Sequence, residues 1–91
     1  MARVIITLKI MPADPEVNLD DIAEEAKKMI SDFSGTIMSI DKQPIGFGLV
    51  SIHLKFNMDE AKGSTDALED MIRQIVGVES VDVIAVSRAF G

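Results

Sequence analysis

Hydrophobic and polar residues alternate at the start of the chain. Between Arg3 and Ile10, one face is apolar, with Val4, Ile6, Leu8 and Ile10, and the other holds Arg3, Ile5, Thr7 and Lys9. Period-two alternation with β-branched residues is typical of a strand that buries one face. We therefore predict a first strand over these residues. It is expected to end at Met11, because Pro12 and Pro15 cannot continue a hydrogen-bonded ladder.

Two later segments carry apolar residues at spacings of three and four, which predicts amphipathic helices. The first spans Leu19 to Asp32, with Asn18 as N-cap and a stop near Gly35. The second begins near Ser64 or Thr65, either of which can cap it, and ends at Gly77. The apolar stripes are Leu19, Ile22, Ala23, Ala26, Met29, Ile30 and Phe33 in the first helix, and Leu68, Met71, Ile72 and Ile75 in the second.

Three further segments are predicted to be strands. They run from Thr36 to Gln43, from Leu49 to Phe56 and from Val81 to Arg88, and a polar loop covers residues 57–63. The expected core-facing residues are Met38 and Ile40 in the second strand, and Val50, Ile52, Leu54 and Phe56 in the third. In the last strand, Val81, Val83 and Ala85 are expected on one face, and Asp82, Ile84, Val86 and Arg88 on the other.

The resulting order is strand, helix, strand, strand, helix, strand. Two interleaved right-handed βαβ units give a ferredoxin-like α/β plait of the α+β class, with a four-stranded antiparallel sheet and both helices on one face. A length of 91 residues predicts one domain, residues 1–91. The open sheet face is predicted to hold Ile5, Leu49, Ile84 and Val86 among Arg3, Lys9, Ser51, His53, Lys55, Asp82 and Arg88. Such a patch fits a partner or dimer interface, and equally a solvated face of β-branched residues.

Composition narrows the possible functions. The net charge of −6 argues against nucleic acid and anionic membranes as direct partners. The absence of cysteine excludes disulfides and thiol chemistry, and the N-terminus does not resemble a signal peptide, so we expect a cytoplasmic protein. His53 is the only histidine and has no obvious carboxylate partner in the sequence. We therefore predict no metal, no cofactor and no covalent catalysis.

The segment from Pro44 to Leu49 is the most unusual part of the sequence, because Gly46 and Gly48 flank the aromatic Phe47. Both glycines can adopt positive φ, and Pro44 restricts how the chain enters the segment. Phe47 could fold back onto the core, which loop statistics favour, or point outward as a contact residue.

This Pro-Ile-Gly-Phe-Gly segment, followed by a strand, resembles the nucleotide-exchange domain of translation elongation factor 1-beta, and the archaeal form in particular. The opening strand with Pro12, the helix start at Asn18, the segment from Gly63 to Leu68 and the closing strand after Val78 also resemble that family. The resemblance implies a guanine-nucleotide exchange factor that promotes GDP release and GTP reloading on the GTPase elongation factor 1-alpha.

The resemblance also implies a partner-binding site. Phe47, with Ile45, Gly46 and Gly48 around it, matches the family's loop aromatic, which lies against the GTPase. Arg88 falls where the family has a lysine near the magnesium and nucleotide site. The chain departs from the family here, because arginine replaces lysine and Phe90 and Gly91 extend the C-terminus. The alternative hypothesis is a non-catalytic ligand-sensing or oligomerising plait domain that uses the open sheet face.

Overall fold

The computed structural model describes residues 3–62 and 65–89. The elements follow in the predicted order: β1 (Arg3–Pro12), α1 (Leu19–Asp32), β2 (Thr36–Gly46), β3 (Leu49–Asp59), a 3-10 turn (Glu60–Lys62), α2 (Asp66–Arg73) and β4 (Val78–Ala89). The strands form one antiparallel sheet in the order β2-β3-β1-β4. This arrangement confirms the ferredoxin-like βαββαβ plait.

The core lies between the sheet and the two helices. Helix α1 packs against β2, β3 and α2, while α2 packs against α1 and β4. The buried apolar side chains form one cluster: Ile6, Leu8, Ile10, Ile22, Ala23, Ala26, Ile30, Ile52, Leu54, Phe56, Met58, Leu68, Ile72, Ile75 and Val81. Neither helix in the described part of the chain is long and apolar enough to cross a membrane.

Each strand is longer than predicted. Strand β1 continues through Pro12, which pairs with Val78 at a register shift in the ladder. Such an irregularity accommodates a proline that cannot donate a backbone hydrogen bond. Strand β3 reaches Asp59, so the predicted loop over residues 57–63 was wrong for its first three positions.

A bulge in β4 changes which side chains face the helices. Leu8 pairs with Val83, but the neighbouring Thr7 pairs with Ala85, so Ile84 is an extra residue in β4. An extra residue reverses the alternation beyond it, since paired residues of antiparallel strands point to the same face. Val86 therefore pairs with the buried Ile6.

The same bulge moves Arg88, which pairs with Val4 on the helix side of the sheet. The prediction that Val86 and Arg88 lie on the open face was wrong. The prediction that Ala85 shares a face with Val81 was wrong for the same reason, because a period-two pattern assumes an unbroken ladder.

A second bulge lies in β2. Ile37 pairs with Phe56 and Ser39 with Lys55, so Met38 is the extra residue. Ile37 and Ile40 pack against the core, whereas Met38 is exposed. The core assignment was therefore confirmed for Ile40 and wrong for Met38.

The helix starts follow the local signals, whereas α2 ends at Arg73, so its predicted end at Gly77 was wrong. Asn18 caps α1, with its side-chain oxygen accepting bonds from the backbone N–H groups of Asp20 and Asp21. Helix α2 begins at Asp66, and Thr65 stands at its N-cap position. The Thr65 hydroxyl makes no capping bond and instead donates to Glu69 Oε2 at 2.7 Å. The alternative cap, Ser64, lies outside the described residues.

Candidate partner-binding site

The β2–β3 hairpin ends in a two-residue turn made by Phe47 and Gly48. Gly46 pairs with Leu49 across the turn. The φ angles are 108° at Gly46, 55° at Phe47 and 76° at Gly48. Positive φ at both central residues is what the tight type I′ hairpin turns require, because their twist matches that of the flanking strands. The glycines thus serve the turn geometry, as the sequence suggested.

Phe47 is the exception within this turn. A left-handed backbone costs an ordinary L-residue roughly 1–2 kcal/mol, and asparagine or glycine normally occupies such a position. The Phe47 side chain is nonetheless 100% exposed, so no packing within the chain offsets this cost. Of the two alternatives for Phe47, the structure has the outward one, and the ring does not fold back onto the core. Ile45, on the same hairpin, is also 38% exposed.

The loop between β1 and α1 supports the turn from one side. A Cβ atom placed on Gly48 would lie 3.6 Å from Pro15 Cβ, which is ordinary contact distance. A crevice of about 30 Å³ between the turn and this loop also touches Val17. That volume suits about one water molecule and excludes a larger ligand. The turn therefore presents Phe47 outward, while the loop between β1 and α1 lies beside the turn at Gly48.

Arg88 occupies the other end of the sheet, on the side of the helices. Its Nη2 donates to Glu60 Oε1 at 2.5 Å, and both side chains remain substantially exposed. An exposed pair of this kind contributes about 0–1 kcal/mol, so a partner could displace Glu60 at small cost. Glu60 was missed in the sequence, because 28 positions separate it from Arg88 and no local pattern links them.

The structure does not bring Phe47 and Arg88 together. Phe47 lies two residues before Leu49, the first residue of β3. Arg88 pairs with Val4, which in turn pairs with Met58 near the end of β3. Nine strand residues at ~3.3 Å each separate the two positions by about 30 Å. The molecule measures 42 × 21 × 17 Å, so the two candidate contacts lie near opposite ends of its long axis.

The open face of the sheet is more polar than predicted. One row across it reads Asp41, His53, Lys9 and Asp82, as the strand pairings show. The row beside it contains Ser39, Lys55, Thr7 and Ala85. With Val86 on the other face, the aliphatic patch that motivated a ligand-sensing or oligomerising domain is reduced to Ile5, Leu49 and the bulged Ile84. Within residues 3–62 and 65–89, no three potential ligands cluster to hold a metal ion.

Comparison with known families identifies the domain. A sequence model of the EF-1 guanine nucleotide exchange domain matches residues 5–89, nearly the whole chain. The chain belongs to the EF-1 guanine nucleotide exchange family. The match includes both the hairpin that carries Phe47 and the end of β4 that carries Arg88.

Curated relatives agree with this assignment to the exchange family. Elongation factor 1-beta of Methanocaldococcus jannaschii is 36% identical over 89 residues, covering 98% of this chain and 100% of that protein. The Hyperthermus butylicus elongation factor 1-beta is 40% identical over 90 residues, with 97% and 96% coverage. That of Thermococcus onnurineus is 43% identical over 84 residues, with 89% of each chain covered.

Solved structures support the fold of this family member. The C-terminal domain of MgtC from Mycobacterium tuberculosis superposes with a TM-score of 0.64 at 16% identity, covering 96% of this chain and 87% of that one. The ACT domain of the Chlorobium tepidum GTP pyrophosphokinase gives 0.60 at 20% identity, with 88% and 96% coverage. At such low identity these similarities establish the plait architecture and not a shared function.

Proposed function

We propose that this protein is the guanine-nucleotide exchange factor of elongation factor 1-alpha, and that the β2–β3 turn is one of its contacts with that GTPase. The family match supports the exchange activity, and Phe47 is the observation that carries the proposed contact. A fully exposed aromatic ring on a backbone that disfavours it contributes nothing to the fold of the free protein. Strain of this kind persists where function requires it.

Exchange on this proposal needs no covalent chemistry. The factor binds the nucleotide-free GTPase more tightly than the GDP-bound form, which lowers the affinity for GDP by the same factor. Large exposed aromatics are frequent energetic centres of protein interfaces, because they bury much area at little entropic cost. The Phe47 ring would act as such an anchor. The turn backbone, held by Gly46 and Gly48, would fix its direction.

Arg88 would provide a second contact at the distant end of the molecule. Its guanidinium is already oriented by Glu60, and the pair is weak enough to open when a partner binds. A cation near the nucleotide site would compete with the magnesium ion or contact a phosphate. A GTPase that meets both residues must span about 30 Å, which is within reach of an interface of ordinary size.

Release of a fluorescent GDP analogue from the cognate elongation factor 1-alpha tests the proposal directly. Substoichiometric amounts of this protein should accelerate release in the presence of excess GTP, because an exchange factor turns over. Heat-unfolded protein and an unrelated acidic plait domain serve as controls. Unchanged release by folded protein, at concentrations where GTPase binding is demonstrated, would refute the exchange activity.

A further inference from the structure

A groove between the two helices lies outside the surfaces used above. It has a volume of about 650 Å³, and it runs along α1 as far as Met29, beside the end of α2. Its apolar lining includes Met29 of α1 and Met71 of α2, together with Val17 and Val76 from the adjoining loops. We call the groove that these residues line the helix groove.

The apolar residues of the helix groove are unusually accessible. Val76 is 95% exposed and Met71 is 39% exposed, although Met71 was predicted to belong to the core stripe of its helix. Val76 projects from the turn that follows α2, where the next residue, Gly77, has a φ of 98°. A Cβ on Gly77 would lie 2.8 Å from Val17 Cγ1, so this close approach fixes the turn against the loop before α1. The backbone N–H of Ala13 also donates to the Gly77 carbonyl at 2.8 Å.

The charges on the helix groove have one sign. Among the described residues that line the groove, Asp21 and Glu25 are the only ionisable ones, and they lie one turn apart on α1. The nearby cation of α2, Arg73, is directed elsewhere, because it donates to Asp70 and to the Val81 carbonyl. Two exposed carboxylates without a cation in the lining would repel an acidic occupant. They would favour basic groups placed one helical turn apart.

From these observations we infer that the helix groove docks a basic amphipathic helix of a partner protein. Apolar residues of that helix at positions i and i+3 or i+4 would contact Met29, Met71 and Val76. Lysines or arginines four residues apart would pair with Asp21 and Glu25. Flexible methionines suit such a surface, since they adapt to differently shaped apolar side chains. A second copy of this chain is a poor occupant, because each copy carries a net charge of −6 and the same acidic rim.

This contact goes beyond the exchange activity and does not depend on it. The full chain, labelled with ¹⁵N and with ¹³C at its methyl groups, would be titrated with a synthetic peptide of leucine and lysine patterned at helical spacing. We expect the methyl signals of Met29, Met71 and Val76 to shift together, and the peptide to become helical. A peptide of the same composition with alternating leucine and lysine, and one with glutamate in place of lysine, should bind at least about tenfold more weakly.

Matched variants separate the helix groove from general attraction to an acidic protein. The double change Asp21→Asn and Glu25→Gln should weaken binding at least about threefold, and Val76→Ser should do likewise. The control pair Asp41→Asn and Asp82→Asn removes the same charge from the opposite sheet face, and Val86→Ser removes a similar exposed methyl pair. Both controls should leave the affinity within about twofold.

Several results would overturn the inference. One is methyl-signal shifts confined to other surfaces. Another is a loss of affinity in the control variants equal to that in the groove variants. A third is equal binding of the peptides with lysine and with glutamate. Sedimentation that shows a dimer with the same methyl groups at its interface would assign the groove to a second copy. The GDP-release assay is independent of all these readouts, so either proposal can fail without the other.

Discussion

The backbone of Phe47 connects a single residue to the proposed activity. Most hairpin turns with positive φ at both central positions use asparagine, aspartate or glycine, because their left-handed conformation is then less costly. This chain has a phenylalanine there, with its ring fully in solvent. We therefore expect the residue to lower the stability of the free protein and to contribute in the complex with the GTPase.

Replacing Phe47 by asparagine should separate stability from activity. We expect Phe47→Asn to raise the free energy of unfolding by about 0.5–1 kcal/mol, because asparagine tolerates the left-handed backbone. The same change should lower the affinity for the GTPase by about 1–3 kcal/mol, as loss of an interface anchor does. Urea unfolding and the GDP-release assay measure the two effects.

The matched control is Phe47→Tyr, which retains the ring and the backbone cost. It should leave the unfolding midpoint nearly unchanged and preserve most of the exchange rate. If Phe47→Asn lowers stability instead, the ring has packing partners in the free protein and the argument from strain is incorrect.

At the scale of elements, the stability of α1 depends on the hydrogen bonds and the ion pair of its first turn. The Asn18 side-chain oxygen accepts from the Asp20 N–H at 3.0 Å and from the Asp21 N–H at 3.2 Å. These two donors would otherwise lack an intrahelical partner. Lys42 of edge strand β2 then reaches across to Asp20, with Nζ 2.8 Å from Oδ1. The start of the helix is thus joined to a strand whose residues are mostly exposed.

Removing the cap gives a prediction for stability. Asn18→Ala should lower the free energy of unfolding by about 1 kcal/mol, since two N–H groups lose their acceptor. Asn18→Asp should retain the cap and remain within a few tenths of a kcal/mol of the natural protein. Urea unfolding of the three proteins checks this, and equal midpoints would show that water satisfies the same donors.

The contact between Asp20 and Lys42 predicts a dependence on pH. The hydrogen bond and the charge of Lys42 lower the pKa of the Asp20 carboxyl below its ordinary range. A depressed folded-state pKa stabilises the protein above the unfolded pKa of about 3.9, and this stabilisation is lost as the pH falls through the lower folded value. Lys42→Met should raise the pKa of Asp20 towards its ordinary value in an NMR titration. Lys28→Met should leave it unchanged, and an unchanged pKa in Lys42→Met would mean that the pair does not form in solution.

On the scale of the whole molecule, the elongated sheet separates the two candidate contacts. Phe47 and Arg88 lie about 30 Å apart near opposite ends of a molecule 42 Å long. Groups this distant, with no shared partner, contribute independently to binding. A single small surface of the GTPase cannot meet both of them.

The double variant tests this geometry. The losses in GTPase affinity caused by Phe47→Ala and Arg88→Ala should add within about 0.5 kcal/mol in the combined protein. Arg88→Ala should change the unfolding free energy by no more than about 1 kcal/mol, because its pair with Glu60 is exposed. Calorimetric titration of nucleotide-free elongation factor 1-alpha with the four proteins measures the cycle. A double loss equal to the larger single loss would contradict independent contacts at the two ends.

Much of this fold could be predicted from local patterns. The helical stripes, the Asn18 cap and the alternation in β1 and β3 are set by the chain's own periodicity, and they require no knowledge of distant residues. The positions around Met38 and Ile84 could not be predicted in this way. A bulge is an extra residue relative to the neighbouring strand, so it is visible only when the two strands are paired.

The sequence by itself determined the order of the elements, the family and the glycine-flanked aromatic that marks the turn. Only the tertiary structure decided that Phe47 is fully exposed, that Arg88 faces the helices beside Glu60, and that the two lie at opposite ends. It also opened the helix groove by leaving Met71 and Val76 accessible. The physical reason is the sequence range of the interactions, since propensity and periodicity act over a few neighbouring residues. Exposure, cross-strand register and the pairing of distant charges depend on how complete elements pack against each other.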